Sequence, residues 1–240
     1  MIKIIDNFLD EKLLIEIEKN WPDKNSKCWY KRTDSFQKNQ YGCNKKDLIP
    51  DCINNLLDYF NSEEFIKYIN SFLNIKNLKS DDVLHGGGIT QYGKDGYLDL
   101  HLDYDIHPLT KKQRRANILL YLNKDWKEDW GGALELYNKD KFIDKVYPKY
   151  NRLVIFEVDE NSWHGFPKPL KCPENEFRKS INVYYVTEPI KKHCDRPRAY
   201  FVPGPLDSNN KHLNIKNWGI ETFKKRDEYL KNVYIKQYNK

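Results

Sequence analysis

The chain has 240 residues, of which 39% are hydrophobic, 14% aromatic and 32% charged, and it contains no repeat or low-complexity block. This composition is typical of a globular chain with a sizeable core, and the abundance of Tyr is compatible with a β-rich core. The formal net charge is +6, but the basic residues are mostly Lys and are scattered among acidic residues. Because no basic run alternates with aromatic residues, we expect no nucleic acid partner.

The cysteines and the N-terminus indicate the compartment. The five Cys are an odd number and none belongs to a C-x-x-C pair, so neither a disulfide framework nor a structural zinc site is indicated. Acidic residues follow Met1 too early for a signal peptide, and no apolar run approaches the length of a membrane span. We expect a cytoplasmic protein without a membrane segment, and the sequence leaves its oligomeric state open.

The first third of the chain, residues 1–79, is predicted to be mainly helical. A short apolar run at residues 2–5 is consistent with an edge strand, and a further strand is possible at residues 29–31. Apolar residues then recur with helical spacing in three segments, and we expect these helices to cover one face of a sheet. The positions that define the helices are Leu13, Leu14, Ile17 and Trp21, then Ile53, Leu56, Leu57 and Phe60, then Phe65, Ile66, Ile69, Phe72 and Leu73.

From Asp81 the pattern changes to short alternating segments separated by Gly, Pro, Asn and Asp, which is typical of an antiparallel sandwich or barrel. Eight such segments suit a double-stranded β-helix, or jelly roll, over residues 80–190. Residues 191–240 are then a C-terminal extension with a predicted helix at 220–237, in which we identify no chemistry. We expect one mainly β domain with flanking helices. The predicted strands are residues 82–92, 96–103, 115–122, 133–138, 142–147, 152–158, 162–166 and 178–187.

Two ligand-type side chains stand together in the second predicted strand. His101 and Asp103 are two residues apart, and side chains at positions i and i+2 of a strand point to the same face. His164 follows the buried strand at residues 153–156. Two His and one carboxylate match the facial triad of non-heme Fe(II) oxygenases, which leaves metal positions open for co-substrate and dioxygen. Arg178 opens the last predicted strand, where its planar guanidinium could grip a carboxylate.

A family resemblance supports this interpretation. The segments Tyr121–Trp126 and Gly131–Leu136, followed by His164 and Arg178, resemble the 2-oxoglutarate-dependent Fe(II) dioxygenases. The most similar branch is that of the prolyl 4-hydroxylases, which includes the oxygen-sensing prolyl hydroxylases and their bacterial relatives. The resemblance covers roughly residues 82–188 and is specific for the superfamily rather than for a substrate.

The resemblance implies roles for individual residues. His101, Asp103 and His164 would ligate Fe(II), and Arg178 would pair with the distal carboxylate of 2-oxoglutarate. Tyr121 would donate a hydrogen bond to the same carboxylate. Tyr92 is a candidate to line the co-substrate pocket. Three residues share the face of Arg178 by strand alternation and are expected to line the pocket, to pack in the core or to make structural hydrogen bonds: Ser180, Asn182 and Tyr184.

The resemblance also implies an activity. The enzyme would use Fe(II), 2-oxoglutarate and dioxygen (O2) to hydroxylate an unactivated C–H bond, with succinate and CO2 as co-products. Asp103 favours hydroxylation, since halogenating relatives lack this carboxylate. The substrate is expected to be a prolyl or other residue of a protein, and a small molecule or sugar is nearly as credible.

Two other functional classes remain open. A jelly-roll binding module, cupin-like or lectin-like, would have no need of Arg178 beside the triad. A zinc hydrolase with the same ligands would need a nearby general base. The Pro-rich segment at residues 165–177 is longer than in the oxygen-sensing enzymes, and we expect it to form a rim near the mouth of the site. Cys172, within this segment, is predicted to be a passive thiol because no positioned base accompanies it.

Overall fold

The computed structural model describes residues 1–34, 36–138, 141–190 and 199–202. Within these ranges the chain forms three α-helices and twelve β-strands. The helices are α1 (Glu11–Asn20), α2 (Asp51–Phe60) and α3 (Glu63–Leu73). The strands are β1 (Ile2–Ile5), β2 (Tyr30–Arg32), β3 (Gln37–Cys43), β4 (Lys79–Ser80), β5 (Gly88–Leu102), β6 (Gln113–Tyr121), β7 (Leu134–Asn138), β8 (Lys141–Val146), β9 (Arg152–Glu157), β10 (Ser162–Phe166), β11 (Arg178–Thr187) and β12 (Tyr200–Val202).

Two of the three helices begin at polar residues that cap them, whereas α2 begins after Pro50 without a side-chain cap. The Asp10 carboxylate accepts a hydrogen bond from the backbone N–H of Leu13 at 2.9 Å and so caps α1. The Ser62 hydroxyl caps α3 in the same way, at 3.2 Å from the N–H of Phe65. The three helices predicted within residues 1–79 are confirmed. No helix in the described part of the chain is long and apolar enough to cross a membrane.

The strands form one antiparallel sheet that curls on itself. Its main order is β1-β9-β6-β11-β5-β10-β7-β8, and β2 joins through β3, which pairs with β5. In this order β9 and β10 are separated by three strands, yet the rings of Phe156 on β9 and His164 on β10 lie only 5.0 Å apart. The sheet therefore encloses an interior between these strands.

Side-chain alternation divides the sheet into two faces. One face packs against the helices, as predicted, and the Tyr185 hydroxyl donates a hydrogen bond to the carbonyl of Phe60 at 2.8 Å. The other face lines the enclosed interior and carries polar side chains. Residues of β6 and β11 on the helix face are Ile118, Leu120, Ile181 and Val183, whereas those on the interior face are Asn117, Tyr121, Ser180 and Asn182.

Most of the predicted strands are confirmed within about two residues, and the first is the exception. Residues 82–87 form turns instead of a strand, because the Asp81 carboxylate accepts the backbone N–H of His85 at 3.1 Å and competes with strand pairing. The first two predicted strands are one long strand, β5. The pairing of β5 with β3 passes from Tyr92 directly to Tyr97. An irregularity in β5 therefore lies where a break between two strands was predicted.

Two strands, β3 and β12, lie in segments whose sequence pattern does not predict a strand. The β3 segment is polar and follows an irregular stretch, and it is extended because it pairs along β5. The short β12 lies in the C-terminal extension and pairs with β5 at residues 100–102. The predicted helix at 220–237 lies outside the described residues.

Candidate active site

The predicted triad comes together at the end of β5. His101 on β5 is paired in register with His164 on β10, and Asp103 follows β5 directly. One ligand atom from each of the three residues lies within 4.8 Å of the others, and all three residues are buried. In the described ranges this is the one group of three or more metal-ligand side chains with such spacing.

Backbone carbonyls orient both imidazoles. The Nδ1 atom of His101 lies 3.0 Å from the carbonyl oxygen of Asp99, and the Nδ1 atom of His164 lies 2.9 Å from that of Ser162. A carbonyl can only accept, so Nδ1 carries the proton and Nε2 presents its lone pair. Burial lowers the pKa of His101, which favours the neutral, metal-binding form.

The two Nε2 atoms face the third ligand. His101 Nε2 is 3.5 Å from Asp103 Oδ1, and His164 Nε2 is 3.3 Å from Asp103 Oδ2. Burial acts to raise the pKa of the Asp103 carboxyl, but the charge of Arg114 and the two imidazoles outweigh it and hold the pKa well below its usual range. Two imidazole nitrogens and one ionised carboxylate in a buried, preoriented cluster fit a divalent transition metal such as Fe(II).

Arg114 is a residue of this site that the sequence analysis did not identify. Its guanidinium NH2 lies 3.0 Å from Asp103 Oδ2, and the same oxygen accepts a hydrogen bond from Asn117 Nδ2 at 2.8 Å. Strand alternation on β6 places Arg115, not Arg114, on the face of Asn117. No local signal in the sequence marks the irregularity that reverses this order.

Arg178 lies in the same interior and is held by neutral groups. Its Nε donates to the carbonyl of Gly132 at 2.6 Å and its NH2 donates to the hydroxyl of Tyr121 at 2.9 Å. Its guanidinium centre is 4.3 Å from the ring centroid of Phe166. Arg178 is only 2% exposed, and it forms no ion pair with any carboxylate of the described residues. A buried cation without an internal counter-ion indicates a place for an anionic ligand.

The other predicted pocket residues surround Arg178. Tyr121 uses its oxygen to accept from Arg178, so its own proton remains available to a ligand, and burial raises its pKa. Tyr92 pairs in register with Arg178 and is buried with its ring edge against Phe166. Ser180 is buried on the next interior position of β11, in register with Tyr121.

The two further candidates on β11 make hydrogen bonds within the protein. Asn182 donates through Nδ2 to the hydroxyl of Thr90 at 3.0 Å. The Tyr184 hydroxyl donates to the carbonyl of Gly86 at 2.8 Å. Both side chains therefore stabilise the wall of the interior through hydrogen bonds within the protein.

The Pro-rich segment at residues 165–177 packs beside Arg178. Leu170 and Cys172 are buried in one cluster with Tyr92 and Phe166. The Cys172 thiol lies 3.4 Å from the carbonyl of Glu176, and burial raises its pKa to about 11, in keeping with a passive thiol.

The C-terminal extension also reaches the site. Phe201 on β12 pairs in register with His101, and the two rings stack with centroids 5.0 Å apart. Phe201 stacks on its other side with Phe36, at 5.1 Å. No local pattern in the sequence marks this contact, because β12 and the part of β5 with which it pairs are about a hundred residues apart in the chain.

Comparison with known proteins identifies relatives of the core. Residues 87–186 match the family model described as the 2OG-Fe(II) oxygenase superfamily. The prolyl 3-hydroxylase OGFOD1 of Xenopus laevis is 31% identical over 192 residues, which are 72% of this chain and 35% of that protein. The Mus musculus protein of the same name is 33% identical over 102 residues, 40% of this chain and 17% of that protein. The chain thus spans about a third or less of the length of these relatives.

Solved structures show the same fold. A prolyl hydroxylase from Trichoplax adhaerens, in complex with a hypoxia inducible factor peptide, has a TM-score of 0.56 and 22% identity and covers 77% of this chain and 83% of its own. A Pseudomonas putida prolyl-4-hydroxylase has a TM-score of 0.56 and 17% identity, with coverages of 78% and 92%. HygX from Streptomyces hygroscopicus, with nickel, 2-oxoglutarate and hygromycin B bound, has a TM-score of 0.51 and 11% identity, with coverages of 77% and 82%. The predicted jelly-roll core with flanking helices is confirmed.

Proposed function

We propose that the chain is an Fe(II)- and 2-oxoglutarate-dependent hydroxylase, in keeping with the match of residues 87–186 to the family model of the 2OG-Fe(II) oxygenase superfamily. One observation carries the proposal. A buried Arg178 without a carboxylate partner among the described residues lies in the same interior as a His, Asp, His cluster. A metal-binding module or a zinc hydrolase would not need Arg178 as a second site, beside the metal site, that binds an anion.

His101, Asp103 and His164 would hold the metal. Their arrangement turns both Nε2 atoms toward an ionised carboxylate, because Nδ1 of each imidazole faces a backbone carbonyl. Bound Fe(II) would supply the oxidation, in which 2-oxoglutarate, O2 and a substrate C–H bond give succinate, CO2 and a C–OH group. The ring of Phe201 stacks on His101 and the ring of Phe156 meets His164 edge to face, so an aromatic side chain packs against each imidazole.

Arg178 and Tyr121 would bind the distal carboxylate of 2-oxoglutarate. Arg178 is fixed by its bonds to Gly132 and Tyr121, so little side-chain entropy is lost when an anion arrives. Tyr121 retains its hydroxyl proton for the same carboxylate, and Tyr92 and Ser180 close the pocket around it. These residues would hold the distal carboxylate of the co-substrate and leave its keto acid end free to reach the triad.

The substrate we propose is a prolyl residue of a protein. The support is the likeness to the OGFOD1 prolyl 3-hydroxylases, which extends over 72% of this chain in the Xenopus case. The fold is also shared with HygX, whose structure holds hygromycin B, so the fold alone is compatible with a small-molecule substrate.

A turnover experiment tests the proposal. The protein is loaded with Fe(II) and incubated in air with 2-oxoglutarate and either proline-containing peptides or aminosugars, and succinate and product mass are measured. We expect 2-oxoglutarate-dependent addition of one oxygen atom to a prolyl residue, and none with Asp103→Ala. Oxygen on an aminosugar alone would replace the prolyl substrate, and absence of succinate under all conditions would favour the binding module.

A further inference from the structure

The loop at residues 104–112 leads from Asp103 to β6, and a buried histidine within it holds it in place. The side chain of His107 is 0% exposed. Its Nδ1 atom accepts hydrogen bonds from the backbone N–H groups of Leu109, at 3.1 Å, and Thr110, at 3.0 Å. Leu109 and Thr110 have exposed side chains, so the imidazole ties an exposed turn to the interior of the protein.

The other side of the His107 ring contacts the turns that precede β5. His107 Nε2 lies 3.4 Å from Asp81 Oδ1, and Asp81 is only 3% exposed. The second oxygen of Asp81 accepts a hydrogen bond from the backbone N–H of His85 at 3.1 Å. The His107 ring also packs against the rings of His85 and Tyr104, with centroids 5.0 Å and 5.8 Å away. His107 therefore joins the loop to a second segment of the chain.

The hydrogen bonds determine where His107 carries its proton. A nitrogen that accepts N–H bonds has no proton of its own, so the proton of the neutral ring is on Nε2, toward Asp81. A second proton could bind only at Nδ1, where it would face two N–H donors instead of an acceptor. A charged His107 is therefore incompatible with the closed form of the loop.

The surroundings of His107 act mainly in the same direction. Burial is the largest cause that lowers its pKa, the charges of Arg114 and Lys112 add to it, and the Asp81 carboxylate opposes it. The charged and titratable groups around the ring are Asp81 and His85 before β5, Tyr104 and Lys112 in the loop, and Arg114 in β6.

The two ends of the loop belong to the candidate active site. Asp103 precedes the loop, and Arg114 NH2 lies 3.0 Å from Asp103 Oδ2. Two backbone hydrogen bonds of 2.8 Å close the loop, from the N–H of His107 to the carbonyl of Lys112 and from the N–H of Arg114 to the carbonyl of Asp105. The closed loop thus keeps Asp103 and Arg114 in a fixed relation to each other.

We propose that neutral His107 is a positioning residue that keeps the loop at residues 104–112 closed, and that a proton on its Nδ1 atom opens the loop. The consequence for Asp103 as a metal ligand rests on the proposed function, whereas the behaviour of the loop does not. Because the pKa of His107 is lowered, its stabilising effect is present above the ordinary histidine pKa of about 6.5 and is lost as the pH falls below that value.

Three variants separate the hydrogen bonds of His107 from its bulk and its charge. His107→Asn can accept the two N–H bonds through Oδ1, as in an Asx turn, but it does not titrate. His107→Leu fills space without an acceptor. His85→Asn removes the neighbouring half-buried histidine, which accepts neither bond, and is the matched control.

Amide hydrogen exchange of residues 104–113 in the metal-free protein, corrected for intrinsic rates, is measured at pH 7.5 and pH 5. Exchange in the wild type and in His85→Asn should be roughly tenfold faster at pH 5, since an open loop binds a proton at the ordinary histidine pKa of about 6.5. His107→Leu should exchange fast at both pH values, and His107→Asn should exchange slowly at both.

Co²⁺ titration at pH 7.5 connects the loop to the metal site. We expect His107→Leu to bind Co²⁺ roughly tenfold more weakly than the wild type, and His107→Asn to match the wild type. A wild type that shows the expected loop exchange but binds no Co²⁺ would contradict the proposed function and support the inference on the loop.

The inference itself would be overturned by corrected exchange that is equal at the two pH values in the wild type, or by slow exchange in His107→Leu. If His107→Leu does not fold, the comparison of the wild type with His107→Asn decides. Acid-induced exchange that persists in His107→Asn would then show that another group opens the loop.

Discussion

Two buried arginines line the same interior, and they differ in what they bind. Arg114 is paired with Asp103 at 3.0 Å, so its charge is satisfied within the protein. Arg178 is equally buried but is held by the Gly132 carbonyl and the Tyr121 hydroxyl, both neutral. The comparison shows how the same side chain supports structure at one position and ligand binding at another. The role of each arginine depends on whether a carboxylate of the protein already pairs with its guanidinium.

The two arginines also differ in their expected contribution to the free energy of unfolding. A buried ion pair that loses one partner leaves an uncompensated charge, which is strongly destabilising. Arg178 has no carboxylate partner among the described residues, and its hydrogen bonds and the face of Phe166 offset part of the cost of burying its charge. Binding sites often carry such a stability cost in exchange for function. Removal of the two arginines should therefore change stability in opposite directions.

The largest effect is expected for Asp103→Ala. The substitution removes a metal ligand and leaves Arg114 buried without a carboxylate, so the metal-free protein should lose about 3–5 kcal/mol of unfolding free energy. Metal binding and turnover should disappear. The double variant with Arg114→Met should recover most of the stability but no metal binding, as measured by urea unfolding and Co²⁺ titration. A double variant no more stable than Asp103→Ala would contradict the claim that the unpaired charge of Arg114 causes the loss of stability.

Arg178→Met should weaken 2-oxoglutarate binding by about 2–4 kcal/mol, because a charge-assisted paired contact is lost. Its unfolding free energy should stay equal to that of the wild type or rise, since a buried charge without a carboxylate is removed. Calorimetric titration of the metal-loaded protein and urea unfolding measure the two quantities. A large loss of stability with unchanged 2-oxoglutarate affinity would assign Arg178 a structural role instead.

Two adjacent glycines, Gly131 and Gly132, lie next to Arg178 in the structure, and substitutions there test how strictly its position must be kept. Gly131 and Gly132 both have positive φ, 76° and 75°, so alanine at either should cost about 1–2 kcal/mol of backbone strain. A Cβ at Gly132 would also lie 2.7 Å from Leu170 and 2.9 Å from Arg178 Cδ, whereas one at Gly131 meets nothing within 4 Å. Gly132→Ala should weaken 2-oxoglutarate binding, and Gly131→Ala should not. Equal affinities in the two variants would show that the placement of Arg178 tolerates this displacement.

The smallest effect concerns a third arginine, in a partly exposed ion pair. Arg152 and Lys149 bond Asp6, and hydrogen bonding to Arg152 lowers the pKa of Asp6 to about 2. A lowered pKa means that the stabilisation is present above the unfolded pKa of about 4 and is lost as the pH falls toward 2. Solvent screening limits it to about 1 kcal/mol or less. Asp6→Asn should match the wild type at pH 2 and be slightly less stable at pH 6 in urea unfolding, and a difference that grows toward acid would contradict this sign.

The sequence was sufficient to predict the positions that local patterns encode. His101 and Asp103 share a strand face through simple alternation, and His164 within β10 and Arg178 at the start of β11 follow in an order that a family resemblance supports. The helices were predictable because their caps, such as Asp10 and Ser62, are local. These features depend on neighbours along the chain, so the chain order reveals them.

Other features depend on contacts between distant segments. Arg114 enters the interior through a bulge that reverses strand alternation, and alternation alone would select Arg115. The polar β3 is a strand because β5 pairs with it, and Phe201 reaches His101 through the short β12. None of these pairings is determined by residues near them in sequence, so tertiary structure was needed to find them.

The most direct test of the proposed function is anaerobic titration of 2-oxoglutarate into the Fe(II)-loaded protein, followed by visible absorption. The wild type should develop the weak metal-to-ligand charge-transfer band of the chelated co-substrate, which should saturate and then decay with formation of succinate when air is admitted. Asp103→Ala should show no band, and Arg178→Met should require much more 2-oxoglutarate. Correctly folded wild-type protein that forms no band would contradict the assignment of the triad and Arg178 to a 2-oxoglutarate-dependent hydroxylase.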